Sequence, residues 1–160
     1  AGPQPENRNG GQPFDRYHGR SWLPVLANPE AEHWDTIFAS HTFHEIQMYY
    51  PMRVVRDQKY KLIWNIAHGL PYPFASDLWA ASSWQAQFQQ GLDAPYGLKT
   101  VGQYLHRPKF ELYDIQNDPH ESTNLAESPG SAEVLQAYQE KLKQYQRDMD
   151  DPWIIKWEYE

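Results

Sequence analysis

The 160-residue chain contains no cysteine. Disulfides, thiolate metal sites and a cysteine nucleophile are thereby excluded within these residues, and the compartment stays undetermined. Long apolar runs are also missing: none approaches the roughly 20 residues that span a bilayer, and mean hydropathy is −0.84. No membrane partner is expected. Positive charge is scarce, with 14 Lys and Arg against 21 Asp and Glu and a formal net charge of −7 at pH 7. A nucleic-acid partner is therefore not expected, and a polyanionic substrate is harder for this chain alone. Neither an initiator Met nor an apolar leader opens the chain; AGPQPENRNGGQPF reads as a flexible linker over residues 1–14, or a tag remnant at its start, ahead of one domain over residues 15–160. Internal repeats, a βαβ rhythm and a glycine-rich phosphate loop are all lacking.

Aromatics are abundant, with seven Trp and eleven Tyr. They suit burial in a small domain, and they also suit stacking against sugar rings. DTIFASH (35–41) has the look of a strand, and MRVVRDQKYKLIWN (52–65) of a β-hairpin around Asp57, Gln58 and Lys59. Tyr60, Leu62 and Trp64 fall on one face of its second arm, as in a sheet with a helix on one side. SDLWAASSWQAQFQQGL (76–92) has Leu78, Trp79, Trp84 and Phe88 near helical spacing, with Ser76 or Asp77 to cap it and Gly91 to stop it. KFELYDI (109–115) is a further strand, and NDPHESTNL (117–125) is dense in turn formers. A last helix is predicted over about residues 131–149, striped by Val134, Tyr138, Leu142, Tyr145 and Met149. Together these give an α+β domain: an antiparallel sheet of about four strands, a long C-terminal helix across it, and a helical insertion after the hairpin. The aromatic stretch from Pro71 to Phe88 is expected to form an exposed apolar patch, so self-association is anticipated.

SHTFHEIQMYYPMR (40–53) concentrates two His, a Glu, two Tyr and an Arg. A zinc site fails on spacing, because His44-Glu45 is not followed by a second His and the inverted order is absent as well. A serine nucleophile at Ser40 lacks the nucleophile-elbow motif. What remains is the lip of a polar pocket, where imidazoles, a carboxylate and phenols meet sugar hydroxyls. The plainer alternative makes His41 and His44 loop anchors, with Tyr49 and Tyr50 in the core.

Several segments together resemble the C-terminal subdomain of formylglycine-dependent sulfatases. HGRSWLPVL is similar to the element that follows their catalytic domain, YPMRVVRDQKYKLIWN to their hairpin, and FELYDIQNDPHESTNLAESP to their E-L-Y-D-x-x-x-D-P-x-E-x-x-N-L-A signature. His-Glu before YPMR, the Pro71-x-Pro73 loop, DPHE and DPW (151–153) narrow the resemblance to the N-sulfoglucosamine sulfohydrolase (heparan sulfamidase) branch. In the signature, Asp118-Pro119 is expected to fix a turn, Glu121 and Asn124 to bond loop backbone, and Leu125 to dock the loop on the core. The family's nucleophile motif, C/S-x-P/A-x-R, does not occur here. The resemblance thus implies that calcium and formylglycine belong to an N-terminal catalytic domain outside this chain. No cofactor is expected within it. That catalytic domain and a sulfated glycan are the implied partners, and a periplasmic, secreted or lysosomal setting is implied as well. His44 and Glu45 match the family's His-Glu and are the first candidates for touching a glucosamine-type sugar. His41 and Arg53 are weaker ones, the latter as a sulfate or carboxylate ligand. A non-catalytic carbohydrate-binding or interaction module remains the alternative.

Overall fold

A computed structural model describes residues 23–28, 30, 35–44 and 48–159. The expected linker, residues 1–14, lies outside them. The chain divides into two units at Asp35/Thr36. In the first, Leu23–Ala27 forms a single helical turn, α1. The second runs β1 (Ile37–Phe43), β2 (Tyr49–Arg56), β3 (Tyr60–Asn65), α2 (Ser76–Ala80), α3 (Ser82–Phe88), β4 (Pro95–Tyr96), β5 (Lys99–Thr100), α4 (Val101–Leu105), β6 (Phe110–Asp114) and α5 (Ala132–Asp148). A 3₁₀ helix over Pro152–Trp157 follows.

The sheet is antiparallel and four-stranded in the order β1-β2-β3-β6, as the sequence leads one to expect. Its hairpin turns where Asp57 Oδ1 accepts from the amides of Lys59 and Tyr60, both at 2.9 Å. Period-two alternation sends Val55, Leu62, Trp64 and Leu112 to one face, where they meet Tyr138 and Leu142 of α5. Fully burying a Leu or Val side chain stabilises by about 1.5–3 kcal/mol each. The α5 stripe is the expected one, with Tyr145 stacked on Phe38 at 4.0 Å. Its surprise is Gln146, which is wholly buried.

The signature loop closes the free edge of β6. Asn124 Oδ1 accepts from the Leu112 amide at 2.8 Å, its Nδ2 donates to the Phe110 carbonyl at 3.0 Å, and the Leu125 amide donates to the Leu112 carbonyl at 2.8 Å. A side-chain amide thus stands in for a neighbouring strand and covers an edge that would otherwise offer unpaired backbone groups. Asp118 orders the turn by accepting from the amides of Ser122 and Thr123. Glu121 departs from expectation. It sits in the left-handed region (φ 54°) and takes Lys61 Nζ at 2.5 Å rather than loop backbone.

Three further expectations are corrected in the insertion. The single helix over 76–92 is broken at Ala81, which is extended (φ −64°, ψ 128°). The Trp79 carbonyl freed near the break accepts from the Gln85 side chain at 2.7 Å. Ala75, not Ser76 or Asp77, is the N-cap, and it makes no side-chain cap bond. Gly91 does follow the end of α3, at φ 105°. The expected apolar patch is mostly turned inward. Trp84 is 0% exposed, with the rings of Phe74, Tyr96, Tyr104 and Phe88 4.5–5.7 Å away, while Trp79 remains half-exposed. Covering an indole with other rings removes more apolar area from water than presenting it outward.

Candidate functional site

The β1–β2 connection is where the sequence concentrates its polar candidates. The pairing runs His41 opposite Met52, then slips before Phe43 meets Tyr49. An irregularity of this kind re-aims side chains near a strand end. His44 lies just past β1, exposed, and its amide donates to the Met48 carbonyl at 3.3 Å. Glu45 lies outside the described residues. His41 is half-buried, with Nδ1 3.0 Å from the Tyr50 carbonyl. A carbonyl oxygen can only accept, so Nδ1 carries the proton, and in the neutral ring Nε2 is left as an acceptor.

Arg53 is turned inward. It is 6% exposed. Its Nε and Nη2 donate to the two oxygens of Asp151 at 2.5 and 2.9 Å, while Nη1 donates to the carbonyls of His41 and Met52 at 3.1 and 2.9 Å. A guanidinium forked onto a carboxylate inside the protein has its donors engaged internally, and here it anchors the β1–β2 end. Asp151 in turn accepts from Gln146 Nε2 and from the Trp153 amide, and Gln146 Oε1 accepts from Trp157 Nε1 at 2.7 Å. Burial works to raise the Asp151 carboxyl, but these hydrogen bonds, Arg53 foremost, hold it below its ordinary value. DPW at 151–153 thereby acquires a physical meaning. Asp151 pairs with Arg53, and it also caps the terminal 3₁₀ helix.

The structure therefore joins His41 to Arg53 through the His41 carbonyl and leaves the His44 side chain exposed. The plainer reading holds for Tyr50, which is fully buried, with its hydroxyl pushed up to about 12 by that burial. It fails for Tyr49, which is 45% exposed. Sequence reasoning did not find the Arg53–Asp151–Gln146–Trp157 chain. Its signals were a glutamine four residues after Leu142 in α5 and the DPW segment that contains Asp151.

A second polar grouping, around Glu111, is spent internally. Glu111 is buried and accepts from Asn65 Nδ2 at 2.7 Å and from the Tyr113 hydroxyl at 2.5 Å, with Lys99 Nζ 3.6 Å away. Burial and the Glu111 carboxylate together push the Tyr113 hydroxyl well up. Among the described residues, no three His, Cys, Asp or Glu side chains come together as a metal would require.

Over 139 residues the chain is 37% identical to human N-sulphoglucosamine sulphohydrolase, a match that takes in 85% of this chain and 27% of the relative. The chain belongs to the sulfatase family. It is also 29% identical over 122 residues to an ulvan-active sulfatase of Formosa agariphila, covering 75% of this chain and 22% of that one. The solved structure of a 2-O GAG sulfatase shares the fold, with a TM-score of 0.56 at 18% identity over 94% of this chain and 24% of its own. No family model matches the chain. The sulfatase chain thus spans about a quarter of the length of the curated relatives it matches.

Proposed function

We propose that this sulfatase subdomain completes the substrate cleft of an enzyme that removes sulfate from glucosamine N-sulfate units of a glycan, and that it is not catalytic alone. The observation that carries the reading is the 37% identity to N-sulphoglucosamine sulphohydrolase over most of the chain. The geometry supports it by holding His44 exposed at a strand end whose neighbours are fixed from below by Arg53 and Asp151. A rigid support under an exposed polar residue is what orienting a substrate needs. On this reading the N-terminal catalytic domain would supply calcium and formylglycine, and the ion and nearby cations would stabilise the sulfuryl group in transfer. What His44 and Glu45 contribute is orientation: hydrogen bonds to sugar hydroxyls or to the sulfamate nitrogen.

In the full-length enzyme, His44→Ala and Glu45→Gln are expected to lower kcat/KM for glucosamine N-sulfate about tenfold or more, and to lower that for a small aryl sulfate by much less. The sugar relies on this wall, whereas the aryl ester barely touches it. Equal losses on both substrates would indicate a fold defect instead. No loss on either would return both residues to a loop-anchoring role.

A further inference from the structure

Beside the β1–β2 end, a cleft of about 380 Å³ opens between the start of β2, the loop after β3 and the terminal 3₁₀ helix. We propose that it is a second saccharide subsite, taking the sugar residue adjoining the glucosamine N-sulfate. The proposal rests on the preceding reading for the identity of the glycan, but its geometry is independent of it. Tyr49, Ile66, His68, Leu70, Trp153 and Lys156 line the cleft.

A sugar ring presents C–H faces and a polar rim, so its sites combine aromatic or aliphatic surface with a few hydrogen-bonding groups. Here Tyr49 and Trp153 stand with centroids 6.1 Å apart and planes inclined by 45°, forming two sides of a notch rather than a closed stack. Leu70 adds apolar surface, and Lys156 completes the lining. The volume lies within the range of about 300–1,000 Å³ usual for small-molecule sites.

Both walls are set in advance. On one side the Ile66 amide donates to the Pro51 carbonyl at 3.0 Å, His68 to Asn65 at 3.2 Å and Leu70 to Ala67 at 2.8 Å, which winds the loop tightly. Asn65, wholly buried, is pinned by its bonds to the Pro108 carbonyl and Glu111. On the other side Asp151 holds the Trp153 amide while it is itself gripped by Arg53. A preformed notch loses little ordering entropy when a ligand enters. Its position also fits. Tyr49 follows Met48, whose carbonyl takes the His44 amide, so the notch and His44 share one end of the sheet. The smaller cleft near Lys99, Gln103, Glu111 and Tyr113, about 220 Å³, is a poorer candidate because Lys99, Glu111 and Tyr113 already bond one another.

The test uses the full-length enzyme with Tyr49→Ala, Tyr49→Phe and Trp153→Ala, each assayed on glucosamine N-sulfate and on a disaccharide in which that unit is followed by a uronic acid. Tyr49→Ala is expected to raise the disaccharide-to-monosaccharide KM ratio about tenfold, with Trp153→Ala acting in the same direction. Tyr49→Phe, which keeps the ring, should restore the wild-type ratio. An unchanged ratio in both alanine variants overturns the subsite and leaves the preceding reading standing. If the wild-type protein turns over neither sugar, that reading fails. The subsite is then decided by saturation-transfer NMR with the same disaccharide: transfer to the uronate protons that Tyr49→Ala abolishes supports it, and transfer unaffected by the substitution overturns it.

Discussion

Two regions of this chain are held together by different means. The sheet with α5 is built on periodicity: alternate residues of β2, β3 and β6 meet every third or fourth residue of α5, and a buried polar chain from Arg53 to Trp157 fixes the arrangement. The insertion over residues 66–109 has helices of only 5–7 residues and a two-stranded ribbon of two residues a side. Helices that short are not stable by themselves. Their order comes from rings: Phe74, Trp84, Phe88, Tyr96 and Tyr104 in mutual contact, with Arg107 lying 3.6 Å over the face of Tyr72 nearby. The contrast shows that regular pattern is one way to fill a core, and that a knot of aromatics can order a segment with almost none.

The largest effect expected from this difference is on the insertion. Trp84→Ala should cost about 3–5 kcal/mol, with amide exchange accelerated over residues 74–105 first and β2 and β3 keeping their protection. Leu142→Ala, costing about 2–5 kcal/mol, should instead expose the sheet and the insertion together. If both substitutions open the same amides in hydrogen exchange, the two regions are one cooperative unit and the contrast dissolves.

Legibility followed the same division. The hairpin, the strand of Leu112 and Tyr113, and α5 were readable because apolar side chains recur at two or at three-to-four residues. The signature DPHESTNL was readable as a turn; that Asn124 would act as a substitute strand was not, since the partner is backbone three-dimensionally near and sequentially distant. Trp79 and Trp84 suggested one continuous helix, and tertiary packing overrode that spacing at Ala81. Among the site residues, the identity of His41 and His44 as candidates came from the sequence. The burial of Arg53 did not, because its partner Asp151 lies at the far end of the domain and no local pattern links them.

A smaller effect is expected from that partner, and it depends on pH. The Asp151 carboxyl titrates lower in the folded protein than its ordinary 3.8. Its stabilising contribution is therefore fully present above that ordinary value and is lost as pH falls from it through the lower folded value. Asp151→Asn should destabilise the protein at pH 7 and flatten the loss of stability between about pH 5 and pH 2 in urea titrations. A wild-type profile already flat across that interval would mean that Arg53 and Asp151 contribute nothing net, the outcome in which desolvation cancels attraction.

The smallest effect lies at a cap. Thr100 and Gln103 form a reciprocal capping box on α4, Thr100 Oγ1 taking the Gln103 amide at 3.1 Å and Gln103 Oε1 taking the Thr100 amide at 2.8 Å. Thr100→Ala should cost about 1 kcal/mol, enough to loosen α4 in hydrogen exchange while Trp84 stays packed. A loss as large as that of Trp84→Ala would show that local capping, rather than the ring cluster, orders the insertion.

The insertion leaves and rejoins the sheet at a single point, where the Asn65 amide donates to the Lys109 carbonyl at 2.9 Å. β3 and β6 are neighbours irrespective of what lies between those two residues, so the segment is a detachable excursion in an otherwise plain meander. A two-residue turn of Asn-Gly type would bridge the gap as an ordinary hairpin. The trimmed chain would keep its register, its α5 contacts and the Arg53–Asp151 pair, though Asn65 would lose its bond to the Pro108 carbonyl, Glu111 its Lys99 and Tyr50 its Tyr72 neighbour. Chain length in this part of the protein is thereby free to change by an insertion or deletion without re-threading the strands, in the way a side street can be rebuilt while the main road stays open.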